Sequence, residues 1–103
     1  MRFTEGDDGR EIELRVGDNF EIALAETRTA GFSWSITSAG TPVCSVVSDS
    51  FENQSTTPGK SGTHEWMFKV DRPGSATIEL NYARQWQKSA PARTYTLRIR
   101  AGA

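Results

Sequence analysis

Residues 11–24 read EIELRVGDNFEIAL, and this stretch decides the fold. Its apolar positions fall on every second residue: Ile12, Leu14 and Val16, then Phe20, Ile22 and Leu24. Side chains of a β-strand point alternately to opposite faces, so this spacing puts the apolar side chains on one face. The stretch therefore predicts two half-buried strands joined at Gly17-Asp18-Asn19.

The same period of two continues along the chain. It recurs in five further segments: Phe32 to Ile36, Val43 to Phe51, Trp66 to Val70, Ala76 to Tyr82 and Tyr95 to Ile99. No window has the spacing of three and four that marks an amphipathic helix. Seven short strands with one apolar face each predict an all-β protein of two antiparallel sheets packed as a sandwich. A closed barrel is the alternative, because the pattern does not determine whether the sheets close.

Length and charge bound the possible functions. The chain has 103 residues, of which 36% are hydrophobic, and this predicts a single domain over residues 1–103 with a core of its own. The net charge of -1 argues against nucleic acid or an anionic membrane as a partner. Residues 1–22 carry seven acids and three bases, whereas residues 84–103 carry five bases and no acid. This asymmetry suits terminal strands that lie near each other.

The N-terminal residues have no apolar run of the kind that a signal peptide carries, and no stretch is long enough to cross a membrane. We therefore expect a cytoplasmic protein from the sequence as written, or a periplasmic or secreted one if a leader is removed. The single cysteine, Cys44, forms no internal disulfide, so it requires no oxidising compartment.

The sequence contains few of the residues that an enzyme active site needs. An activated nucleophile needs a base and an orienting group, and the chain has one cysteine, Cys44, and one histidine, His64. Cys44 falls within a strand pattern, which favours a small buried residue. His64 alone has no companion ligands at a metal-binding spacing. We expect no catalytic activity, no metal and no cofactor.

Three connections are too long for tight turns: 26–31, 52–62 and 84–91. In a Greek-key sandwich the connections after the second, fourth and sixth strands gather at one end. These three segments are those connections, so the function is expected at that end. The third loop contains Trp86 among polar residues, which favours an exposed anchor for a partner. Gly59-Lys60-Ser61 is similar to part of a phosphate loop, but the earlier glycine and the following helix are missing.

Taken in order, these loops resemble the chagasin family of cysteine protease inhibitors. Members of that family carry Asn-Pro-Thr-Thr-Gly followed by an aromatic residue, any residue and Trp, then a glycine-rich loop, and then Arg-Pro-Trp after a tyrosine. Here the first motif is kept at Thr29, Gly31, Phe32 and Trp34, and the third at Tyr82, Arg84 and Trp86. Ser61-Gly62-Thr63 resembles the end of the glycine-rich loop. Thr27, Arg28, Ala30 and Gln85 depart from the family pattern, and two prolines are lost with them.

The resemblance implies an immunoglobulin-like sandwich of seven to eight strands that inserts three loops into the active-site cleft of a papain-family cysteine protease. It implies reversible inhibition by occlusion, from an inhibitor expected to be a monomer. The implied protease-binding residues are Thr27, Arg28, Thr29, Ala30, Gly31, Gly59, Lys60, Ser61, Gly62, Arg84, Gln85 and Trp86.

The alternative function is a β-sandwich binding module without inhibitory activity, using Trp86 to bind a carbohydrate or a protein. Fold and an exposed tryptophan suit both functions. A sugar platform, however, generally needs more than one exposed aromatic residue, and only Trp86 is expected to be exposed among these loops.

Overall fold

The computed structural model describes residues 1–27, 31–52, 62–84 and 91–103. These residues form eight strands and one 3-10 turn at Glu5–Asp7. The strands are β1 (Arg2–Phe3), β2 (Glu11–Arg15), β3 (Asn19–Glu26), β4 (Phe32–Ala39), β5 (Cys44–Glu52), β6 (Gly62–Val70), β7 (Gly74–Arg84) and β8 (Arg93–Gly102). No helix in these ranges is long and apolar enough to cross a membrane.

The strands form two four-stranded sheets that enclose one core. The first sheet has the order β1-β3-β6-β5 and the second the order β2-β8-β7-β4. The seven predicted strands occur as β2 to β8, and β1 adds a two-residue eighth. The all-β sandwich is therefore confirmed over the barrel.

The alternating positions supply the core, as predicted. Phe20, Leu24 and Phe68 are fully buried in the first sheet, and Leu80 and Leu97 are fully buried in the second. The rings of Phe20 and Phe68 stack with their centroids 5.1 Å apart. Each such side chain contributes about 1.5–3 kcal/mol when it leaves water, so the sheets are held together chiefly by this layer.

The first alternation ends one residue earlier than its pattern indicates. Strand β2 stops at Arg15, and Val16 is exposed. The chain turns at Gly17, whose φ of 96° lies in the left-handed region that favours glycine. The turn takes Val16 off the inward face.

The prediction of purely antiparallel sheets needs a correction. Four strand pairings are antiparallel, but β1 pairs with β3 and β2 pairs with β8 in parallel. A tight hairpin forces its two strands to run antiparallel, whereas strands separated by a long course of chain can pair in either direction. Alternation reports which face is apolar and says nothing of direction, so the sequence did not reveal the two parallel pairs.

The two oppositely charged ends of the chain meet in the second sheet. Glu11 of β2 lies in register with Arg98 of β8, and Arg100 Nη1 lies 3.6 Å from Glu11 Oε1. The predicted proximity of the terminal strands is confirmed. These side chains are exposed, so each pair contributes only about 0–1 kcal/mol.

Cys44 is expected to react with thiol reagents only after unfolding. The residue is fully buried in β5, and burial raises the pKa of its thiol to about 11. The thiolate, not the thiol, is the nucleophile that attacks such reagents. We expect no reaction with Ellman's reagent near neutral pH in the native protein, and one equivalent after denaturation. A Cys44→Ala control should release no colour in either state, and rapid labelling of the native protein would contradict the buried placement.

Candidate functional site

The strand ends that flank the three loops, which we call the loop roots, lie together at one end of the sandwich. In the first sheet Glu26 is in register with Gly62, and Glu52 with Thr63. In the second sheet Phe32 is in register with Arg84. The backbone N–H of Thr27 donates a hydrogen bond to Tyr82 Oη across the two sheets, at 2.9 Å. The predicted clustering of the loops at one end is confirmed at the level of their roots.

The structure describes four of the twelve predicted contact residues: Thr27, Gly31, Gly62 and Arg84. The other eight lie outside the described residues: Arg28, Thr29, Ala30, Gly59, Lys60, Ser61, Gln85 and Trp86. The four described residues occupy the roots of all three loops.

Two glycines meet specific backbone demands at these roots. Gly31, just before β4, has a φ of 84°, the left-handed conformation that favours glycine. At Gly62 a Cβ atom would lie 2.6 Å from the carbonyl oxygen of Glu52 and would collide with the ring of Phe51. A larger residue at position 62 would therefore push β5 and β6 apart at the root of the second loop.

Arg84 forms the outer end of a ladder of aromatic rings between β4 and β7. Its guanidinium carbon lies 4.7 Å from the centroid of the Phe32 ring. Phe32 stacks on Tyr82 with centroids 5.1 Å apart, and Tyr82 packs on Trp34 at 4.8 Å. A cation over an aromatic face contributes about 0.5–2 kcal/mol, depending on exposure. The ladder fixes the root of the third loop against the root of the first.

A polar cluster of two buried side chains and one exposed carboxylate lies directly beneath these roots, and sequence reasoning did not identify it as one. Glu26 is fully buried and His64 is 5% exposed. Glu26 Oε1 accepts a 2.6 Å hydrogen bond from the backbone N–H of Trp34 and lies 3.0 Å from His64 Nδ1. The other ring nitrogen, His64 Nε2, contacts Asp49 Oδ1. We call Glu26, His64 and Asp49 the root cluster.

A signal for the root cluster was present in the alternation. Glu26 follows Phe20, Ile22 and Leu24 in the same phase, and His64 precedes Trp66 and Phe68 in phase. A charged or polar residue in phase with an apolar alternation faces the core, where it needs partners. Glu26 instead falls at the start of the predicted first loop, residues 26–31.

A β-bulge brings the third member of the cluster to the inward face. The register of β5 against β6 shifts between Val46 and Ser48, so Val47 is the extra residue and is exposed. One extra residue reverses which alternate positions face inward. Asp49 thereby lies opposite Trp66, on the face that carries His64.

The structure separates the two residues weighed for a Cys–His pair. Cys44 is in register with Val70, whereas His64 is in register with Phe51 at the other end of the same strand pair. Six residues of strand span roughly 20 Å. The raised pKa of Cys44, about 11, further disfavours a thiolate. Across the described ranges no group of three or more His, Cys, Asp or Glu side chains is arranged to hold a metal ion.

A sequence profile of the chagasin family peptidase inhibitors, I42, matches residues 13–99. The chain belongs to the chagasin family. Amoebiasin-1 of Entamoeba histolytica is 31% identical over 104 residues, which cover 96% of this chain and 97% of that protein. Because chagasin-family proteins are peptidase inhibitors, the predictions of family and of a non-enzymatic role are both confirmed.

Solved structures share the chagasin-family fold with this chain. The crystal structure of EhICP2, a cysteine protease inhibitor from Entamoeba histolytica, superposes with a TM-score of 0.86 at 24% identity, covering 98% of this chain and 93% of that one. The structure of PbICP-C in complex with falcipain-2 gives a TM-score of 0.72 at 18% identity, covering 99% and 90%. At these identities the likeness establishes the fold.

Replacing Tyr82 with phenylalanine tests the link between the first and third roots. The variant keeps the ring stack and removes the acceptor of the Thr27 N–H, so the free energy of unfolding in urea should fall by about 1 kcal/mol. Amide exchange at Thr27 should accelerate. Tyr95→Phe is the matched control, because it removes a hydroxyl that donates to the Thr4 carbonyl oxygen and should leave Thr27 exchange unchanged. Unaltered stability and exchange in Tyr82→Phe would contradict this role.

Proposed function

We propose that this chain is a reversible inhibitor of papain-like cysteine proteases, which it blocks by placing its three loops in the active-site cleft. The observation that carries the proposal is the meeting of all three loop roots at one end of a chagasin-family sandwich. A second candidate, the sugar- or protein-binding module, has no observation that favours it.

The proposed contacts are the ones predicted for the loops. The segment Thr27 to Gly31 would approach the catalytic centre of the protease, while Gly59 to Gly62 and Arg84 to Trp86 would contact the two walls of the cleft. Three loops of this length can cover about 800 Å² on each partner, the size of a standard interface. Trp86 is the proposed anchor, since tryptophan is enriched among the residues that dominate binding energy.

Rigid roots support this mode of binding. A protein that binds through loops loses conformational freedom on docking, and this loss reduces affinity unless the loops are held in advance. Here the Tyr82 hydroxyl fixes Thr27, and the ring of Phe32 lies under Arg84. These contacts compensate in part for the loss of loop stiffness where Arg28 and Gln85 replace the family's prolines.

Inhibition in this scheme involves no chemical step on the inhibitor. The protease keeps its nucleophile, and substrate is excluded because the cleft is filled. The complex of PbICP-C with falcipain-2 shows a chagasin-like fold bound to a protease. We propose the same kind of partner for this chain, with one inhibitor domain, residues 1–103, binding as a monomer.

The decisive experiment is a titration of papain, and of a cathepsin L-type enzyme, with the purified protein at fixed substrate. We expect competitive, reversible loss of activity at nanomolar to micromolar inhibitor, the range of about -12 to -8 kcal/mol in binding free energy. The inhibitor should be recovered uncut. A folded sample that inhibits neither enzyme would contradict the proposal and favour the binding-module function.

Trp86→Ala should weaken inhibition of papain by about 2 kcal/mol, roughly thirtyfold, through loss of the anchor. The melting temperature should change little, because Trp86 lies among polar residues outside the core pattern. Gln87→Ala, in the same loop, is the matched control and should keep the inhibition constant of the unaltered protein. An unchanged constant for Trp86→Ala would remove that residue from the site.

A further inference from the structure

The root cluster carries a cost that the fold alone does not require. Removing a carboxylate from water costs several kcal/mol unless charge and hydrogen bonds compensate. A leucine at position 26 would continue the inward row of β3 without that cost. Glu26 is nevertheless fully buried, and its carboxylate meets groups from two other strands. Glu26 therefore contributes to the structure by holding those groups in position.

Glu26 connects the two ends of the first loop. It is the last residue of β3, on the N-terminal side of that loop, and Oε1 receives the backbone N–H of Trp34 on the C-terminal side. Strand β4 is the edge of its sheet, so the Glu26 carboxylate replaces a strand neighbour as acceptor for this N–H. The Trp34 side chain adds a second connection, because its Nε1–H donates to the Ala25 carbonyl oxygen at 2.9 Å.

His64 and Asp49 connect Glu26 to the root of the second loop. His64 lies on β6, two residues after Gly62, and Asp49 lies on β5, three residues before Glu52. The imidazole stacks on the Trp66 ring with centroids 3.9 Å apart and an angle of 12°, which fixes the plane of its ring nitrogens. One row of polar contacts thus runs from β5 through β6 and β3 to β4.

We propose that Glu26 is a positioning residue for protease binding. His64 and Asp49 hold Glu26 in place, and Glu26 sets the spacing of the first and second loops. The root cluster touches no protease in this scheme. It acts through the loops by fixing their roots before the complex forms, which lowers the ordering cost of binding. This inference rests on the proposed function.

The test compares inhibition constants for papain at a temperature well below the melting transition of every variant. Glu26→Ala should weaken inhibition roughly tenfold, the effect of about 1.4 kcal/mol, chiefly through faster dissociation. Glu26→Gln should recover most of the loss, because its amide oxygen can still accept the hydrogen bond from the Trp34 N–H. If Glu26 contributed only to stability, neither variant would change the inhibition constant at a temperature where all variants are folded.

Val70→Ala is the matched control for stability. Val70 is a fully buried core residue at the opposite end of β6, so its truncation lowers the free energy of unfolding without reaching the loops. Its inhibition constant should equal that of the unaltered protein. Equal weakening by Val70→Ala and Glu26→Ala would overturn the proposal, and so would an unchanged constant for a folded Glu26→Ala protein.

Asp49→Ala covers the case in which Glu26→Ala does not fold. The Asp49 side chain is 57% exposed, so its removal leaves the core intact, and we expect a roughly threefold weaker inhibition. Ser50→Ala, on the exposed neighbour, should have no effect. A folded Asp49→Ala protein with unchanged inhibition would overturn the proposal in that case. If the unaltered chain fails to inhibit in the same assay, the proposed function fails first and the positioning role fails with it.

Discussion

Strand β3 carries a row of apolar side chains toward the core and then, in the same phase, the carboxylate of Glu26. The hydrogen bond from the Trp34 amide to that carboxylate joins the two sheets at the end where all three loops begin. Apolar packing holds the sheets face to face but is non-directional, so it leaves their relative offset weakly determined. The directional hydrogen bond to the buried Glu26 carboxyl group fixes that offset where β3 meets β4, and in the proposed scheme the placement of the loops depends on it.

The loop end and the core are thus stabilised by different kinds of interaction. The core is a layer of alternating aliphatic and aromatic side chains, where a volume-conserving exchange costs little. The loop end depends on hydrogen bonds, ring stacking and glycine backbone conformations, each of which tolerates few substitutions. Volume-conserving exchanges in the core of this protein should therefore cost less than exchanges beneath the loops.

Much of the fold could be read from the sequence because the period of strand side chains is a local property. Phe20, Trp66 and Leu97 face inward as their alternation predicts. The parallel pairing of β2 with β8 could not be read in this way, since it depends on how the chain passes between sheets. The bulge at Val47 was equally hidden, and it decides which face Asp49 occupies.

The candidate site could likewise be predicted only in part from the sequence. The order and spacing of the loop motifs carried the resemblance, and the Greek-key rule placed their roots together. Gly31 is a kept position of the first motif, and its positive φ gives a physical reason for glycine there. Glu26 and His64 were missed because a polar residue at an inward position shows its role only when its partners, which come from other strands, are known.

The course of β8 has a practical consequence. This strand begins at Arg93 beside Tyr82, near the loops, and runs the length of the sheet until Ala101 lies beside Gly74. Residue 103 is therefore at the end of the sandwich remote from the loops. A surface tether or a fluorescent tag joined there would hold the molecule upright with its loops facing solution, whereas a tag near Arg84 or Pro91 would stand in the path of an incoming protein.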